Sequence, residues 1–87
     1  MSVSFYCSPQ QTLKSNPTDQ DLQLRGGIFS NGTFNRPGDK QPYKSASGVC
    51  KASLNRNGET NEWQGPSHVF VLIDGKWLQF RQSGLWR

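Results

Sequence analysis

The chain has 87 residues, ten Lys and Arg against six Asp and Glu, a net charge of +4 and a pI near 9.4. That length makes one domain, residues 1–87, with a modest core. With 32% hydrophobic residues and no apolar run near the ~18 residues of a membrane span, a transmembrane segment is excluded, while three Trp, two Tyr and five Phe set the chain apart from disordered sequences.

Ser2 to Cys7 alternates Val3, Phe5 and Cys7 with polar Ser2 and Ser4, as a half-buried strand does, and Ser8-Pro9 ends it. The start carries neither a basic region nor a long apolar run, so it does not read as a signal peptide and the expected location is the cytoplasm. Asn16-Pro17-Thr18-Asp19 resembles a helix start, with an Asn cap, Pro at the first position and an acidic first turn. It predicts one or two helical turns near 17–24, stopped by Gly26-Gly27. Asn31-Gly32 predicts a tight hairpin that sets Phe29 opposite Phe34.

Residues 35–48, NRPGDKQPYKSASG, show no periodicity. Pro37-Gly38 and Pro42 oppose regular pairing, and a loop of this length is commonly functional. From Gly48 to Arg56 the alternation of Cys50, Ala52 and Leu54 with Lys51 and Ser53 predicts another strand. Asn57-Gly58 would turn it, setting Arg56 opposite Glu59 and Ala52 opposite Trp63.

The strongest signal is His68 to Arg81. Asp74-Gly75 lies between two apolar runs, and a two-residue turn there fixes the register. Ile73 then faces Lys76, Leu72 faces Trp77, Val71 faces Leu78, Phe70 faces Gln79, Val69 faces Phe80 and His68 faces Arg81. One face of this hairpin carries Val69, Val71, Ile73, Leu78 and Phe80, and the other carries Phe70, Leu72 and Trp77. Leu85-Trp86 could pin the C-terminus to the core.

These elements predict an all-β fold: a small antiparallel meander of six or seven short strands, curled into a barrel or a two-layer roll. Its expected core is Val3, Phe5, Ile28, Phe29, Phe34, Leu54, Val69, Val71, Ile73, Leu78 and Phe80.

Enzyme chemistry finds little support. Cys50 and His68 are the one thiol–imidazole combination to weigh, but Cys50 sits on the inward face of a predicted strand, where nothing activates a thiolate. Asp19 and Asp21 suit a helix start, Glu59 and Glu62 flank a turn, and Asp74 belongs to turn chemistry. Lys44-Ser-Ala-Ser-Gly48 lacks the order of a phosphate loop. One His and two distant Cys have no metal-ligand spacing, so neither metal nor cofactor is expected. Two cysteines are also too few for a disulfide framework, and Cys7 and Cys50 are expected as packed free thiols.

A binding function uses more of the residues. Phe70 and Trp77 on the second hairpin face, with His68 and Arg81 at its open end, resemble a surface that stacks bases. The 35–48 loop adds Arg36, Lys40 and Lys44 around Tyr43. The expected function is therefore a non-catalytic binding module for nucleic acid, a nucleotide or a phosphorylated ligand, through Arg36, Lys40, Tyr43, Lys44, Phe70, Trp77 and Arg81. The alternative is a protein-interaction module or small inhibitor of the kind carried by phages and mobile elements, which blocks a partner protein.

Overall fold

The computed structural model describes residues 2–55 and 58–85. In chain order they form β1 (Ser2–Cys7), α1 (Asp19–Arg25), β2 (Gly26–Ser30), β3 (Thr33–Asn35), α2 (Ala46–Leu54), α3 (Gly65–His68), β4 (Val69–Ile73), β5 (Lys76–Gln79) and a 3-10 turn over Phe80–Gln82. The domain is dominated by a five-stranded antiparallel sheet of order β3-β2-β1-β4-β5, with few helices.

Two of the expected hairpins hold the sheet's two sides. At Asn31-Gly32 and Asp74-Gly75 all four residues take positive φ, 54° and 79° in the first turn and 51° and 77° in the second, the geometry of a type I′ turn. The registers follow. Phe29 pairs with Phe34, their rings 4.7 Å apart, and Ile73, Leu72, Val71 and Phe70 pair with Lys76, Trp77, Leu78 and Gln79. The second hairpin stops two residues short of expectation. At Phe80 the chain enters the 3-10 turn, so the pairing of β4 with β5 ends at Phe70 and Gln79, Val69 does not pair with Phe80, and His68 lies in α3 rather than opposite Arg81. From this turn the Phe80 ring packs against Phe29 and Phe34, at 5.3 and 5.2 Å, and is buried.

The topology is not a meander. β1 lies at the centre, pairing with β2 along Ser2–Tyr6 and with β4 along Phe5–Cys7. The strand expected over Gly48–Arg56 is the helix α2, which reduces the strands to five. The segment also holds a helical spacing, since Ala46, Val49 and Cys50 fall on one face and are the residues buried there. The Ser45 side chain decides in favour of the helix by accepting from the Gly48 amide at 3.0 Å as N-cap. Ala52 and Trp63 consequently do not pair across strands, and the Trp63 indole instead donates to Asn55 Oδ1 at 2.9 Å. The expected Asn57-Gly58 turn, the Arg56–Glu59 pair and the Trp86 anchor involve residues outside those described. Leu85 does pack against the core.

The helical turns near 17–24 form as α1, but the cap is Thr18 rather than Asn16. Thr18 Oγ1 accepts from the Asp21 amide and Asp21 returns a carboxylate to the Thr18 amide, a reciprocal capping box. The helix buries no residue, and Leu24 stands 63% exposed.

The core lies between α2 and one sheet face: Phe5, Cys7, Phe34, Val69, Val71 and Phe80 meet Ala46, Val49 and Cys50. Val3, Phe29, Leu54 and Ile73 pack around it, half-buried, and Leu78 is half-buried beside Val71. Ile28, expected inside, is 45% exposed. It follows Phe29's neighbour rule: adjacent residues in a strand face opposite ways, and Phe29 takes the core side. The other sheet face carries Tyr6 and Phe70 side by side, both buried. Residues 8–18 border that region, with Gln79 Nε2 donating to the Gln11 carbonyl at 3.0 Å.

α2 and α3 meet at Gly65. A Cβ there would fall on the Ser47 amide nitrogen and the Ala46 carbonyl carbon, backbone atoms with no freedom to yield. Gly65→Ala is expected to destabilise by at least the ~1–3 kcal/mol of an overpacked core, lowering the melting temperature by roughly 5 °C or more. Gly75→Val, whose added carbon meets open space, is expected to lower it too, because a β-branched residue resists a φ of 77°. Thermal circular dichroism reads both, and an unchanged Gly75→Val melt would contradict the type I′ turn.

Candidate functional site

The segment 35–48 is shaped by its own polar contacts. Phe34 and Tyr43 exchange two backbone hydrogen bonds of 2.8 Å, so the loop returns to the outer edge of β3. Between these points Arg36 Nη1 contacts Asp39 Oδ2 and the Ala52 carbonyl, each at 3.3 Å, the second being a carbonyl near the C-terminal end of α2. The Tyr43 hydroxyl donates to the same Asp39 oxygen at 2.8 Å. Arg36 and Tyr43 thus fold the loop, while Lys40 and Lys44 stand exposed.

Beyond Tyr43 the chain passes through Lys44 and Ser45 into α2. Here the start of the helix, the β2–β3 hairpin and the C-terminal segment enclose a groove of about 590 Å³. Phe29, Phe34, Phe80 and Leu85 line it with apolar surface, and Lys44 is the cation among its lining residues, beside Ser45 and Ser47. A groove of this volume, apolar with a few polar groups at one side, is the form ligand and anchor sites commonly take.

The expected site residues fall into two groups. Arg36, Lys40, Tyr43 and Lys44 come together on the β3 side. Phe70 and Trp77 lie on β4 and β5, and because β3 and β5 are opposite ends of the sheet, Trp77 is about four strand spacings of ~4.8 Å from the basic loop. Phe70 is 4% exposed, and Trp77 is half-buried. Arg81 is exposed and reaches the Ser67 hydroxyl at 3.3 Å. The loop and the hairpin face therefore do not converge on one surface. The groove residues Phe29, Phe34, Phe80 and Leu85 were not read as a site because each also reads as core. The spacing of Ser45 before Ala46, Val49 and Cys50 is the sequence signal that would have revealed the helix that walls the groove.

His68 and Cys50 serve other contacts. His68 Nδ1 lies 2.9 Å from the Ser8 carbonyl, and its ring meets Trp63 edge-on at 5.1 Å. The Cys50 thiol is fully buried and pushed far up from the ordinary thiol range, first by its hydrogen bond with Cys7 and then by burial. His68 and Cys50 thus have separate partners, Ser8 and Trp63 for the imidazole and Cys7 for the thiol. Among the described residues no group of three or more His, Cys, Asp or Glu is arranged to hold a metal ion, and no helix is long and apolar enough to cross a membrane.

Comparison of the chain with protein-family models, with curated proteins and with solved structures finds no match.

The Tyr43–Asp39 contact has a measurable signature. The phenol is raised above its usual value, first by the hydrogen bond to the Asp39 carboxylate and then by partial burial. Because the folded state favours the neutral phenol, the contact's contribution is fully present below the unfolded value near ~10 and is lost as pH climbs through the higher folded value. Ultraviolet titration should show a late-ionising phenol in the wild type, and Asp39→Ala should bring that ionisation back toward the ordinary range. Identical titration curves for the two proteins would contradict the contact.

Proposed function

We propose that this protein is a non-catalytic binding module that receives an anionic partner at the groove between α2 and the β2–β3 hairpin. The observation that carries the reading is the groove itself: an apolar lining of Phe29, Phe34, Phe80 and Leu85, with Lys44, Ser45 and Ser47 beside it. Such a shape accepts one apolar or aromatic anchor while an adjacent negative charge meets the lysine. That is the anatomy of a protein-interaction hot spot, in which a buried anchor supplies affinity and a rim charge supplies orientation and on-rate. A partner protein presenting an acidic segment with an apolar anchor is the leading reading, and blocking such a partner is one way the module would act.

Nucleic acid is the second reading, favoured by exposed Lys40 and Lys44 and by the net charge of +4. In that case a base occupies the groove and the phosphates follow the two lysines. The buried Phe70 removes one of the stacking rings that a sheet-face mode would use, so the groove and the basic loop carry this reading as well.

Lysates of the source cells, with and without nuclease, should be passed over wild type, Lys44→Glu and Lys76→Ser, the last at the far end of the sheet. Nuclease-resistant capture kept by Lys76→Ser and weakened at least tenfold by Lys44→Glu is the expected result. The Lys40→Ser, Lys44→Ser double variant should melt within a degree or two of wild type, since exposed charges contribute little to stability. In parallel, titration with random single-stranded oligonucleotides should show weak affinity. Affinity that falls steeply with salt and is lost in the double variant would put nucleic acid first. Capture indifferent to Lys44→Glu would remove the groove from the reading.

A further inference from the structure

Cys7 ends the central strand β1, and Cys50 projects from the buried face of α2. Both side chains are fully buried in the same core cluster, where α2 packs on β1, and each thiol is the largest influence on the other's ionisation. Nothing in the packing requires two sulfurs here, since two small apolar residues would fill the same space. We propose that Cys7 and Cys50 form a redox pair that small peroxides close into an intramolecular disulfide tying β1 to α2.

Three further features support the pair. The first is polarity beside Cys7. The neighbouring Cys50 thiol, which is the largest influence, together with Ser53, Arg36 and Arg25, favours the Cys7 thiolate against the effect of burial. The second is Ser53, from the same helix as Cys50. Its Oγ is buried with no hydrogen-bond partner in the native geometry, and the residue is near enough to Cys7 to favour the thiolate. A hydroxyl there can donate to an oxygen added at Cys7. The third is sequence separation: the two residues enclose a loop of roughly 40 residues, long enough for a cross-link to restrict the unfolded chain strongly.

The chemistry balances. The Cys7 thiolate attacks one oxygen of hydrogen peroxide, the O–O bond breaks, and hydroxide leaves to become water, giving a sulfenic acid at Cys7. The Cys50 sulfur then attacks the Cys7 sulfur and displaces the second oxygen as water, taking up the proton that Cys50 releases. The two thiols lose two electrons and two hydrogens in all, and the peroxide is reduced to two waters. Because both sulfurs are fully buried, access depends on local opening of α2 from the sheet, and a reagent little larger than water suits that limit.

The test treats the native protein with hydrogen peroxide and reads intact mass, linked-peptide mapping and thermal melting. The expected product is two hydrogens lighter, contains a Cys7–Cys50 peptide, melts roughly 10 °C higher and reverts with dithiothreitol. In Cys50→Ala the lighter species should be missing and Cys7 should be trapped as sulfenic acid by dimedone. Wild-type protein that keeps its reduced mass at doses oxidising the denatured chain would overturn the proposal. So would sulfinic acid without a link, a link only between two molecules, or a linked form that melts lower.

Discussion

The Phe5 ring over Gly27 is the contact from which the rest of the fold takes its shape. Phe5 pairs with Gly27 on one side and Val71 on the other, so it is the point where the two hairpins join through β1. It is completely buried and stands edge-on to Phe34 at 5.2 Å. A Cβ at Gly27 would come within 2.9 Å of the Phe5 ring and would also run into the Asn35 carbonyl. The bare backbone of Gly27 is therefore what admits the ring, and the ring in turn sets where Phe34, Phe29 and Phe80 can lie. The aromatic cluster that results is at once the end of the core and the lining of the groove.

Most of the local structure was legible in the sequence, and the failures share a cause. Asn31-Gly32 and Asp74-Gly75 specify their hairpins because positive φ at two successive positions is a demand few sequences meet. The register of Phe29 with Phe34 and of Val71 with Leu78 follows from turn length alone. Gly48 to Arg56 misled because Cys50, Ala52 and Leu54 are spaced by two while Val49 and Cys50 lie three and four residues after Ala46, and only the burial partner decides between the two patterns. That partner is the sheet face formed by Phe5, Cys7 and Val69, which no local pattern announces. The 3-10 turn at Phe80 was hidden for the same reason, since its benefit is packing on Phe29 and Phe34. For the site, the basic loop was legible as charge. That Arg36 and Tyr43 would spend their polar groups on Asp39 and Ala52, leaving Lys40 and Lys44 to solvent, depends on where α2 ends.

The groove and the thiol pair share one wall. Ser45, Ala46 and Ser47 line the groove at the start of α2, and Val49 and Cys50 anchor the same helix to the sheet one turn later. α2 is also fixed by Gly65 at its start and by Arg36 near its end, so its position depends on segments far apart in the chain. A displacement of this helix would alter groove width and sulfur separation together.

The two ends of the sheet differ in a way that bears on self-association. In β3 the one residue whose backbone groups point outward, Phe34, already has both of them engaged by Tyr43. In β5 the two-residue turn directs the amide and carbonyl of Trp77 away from β4, and among the described residues no strand covers that side. β5 is thus the open edge of the sheet among the described residues, and an edge at one end alone offers no continuous template for adding strand after strand.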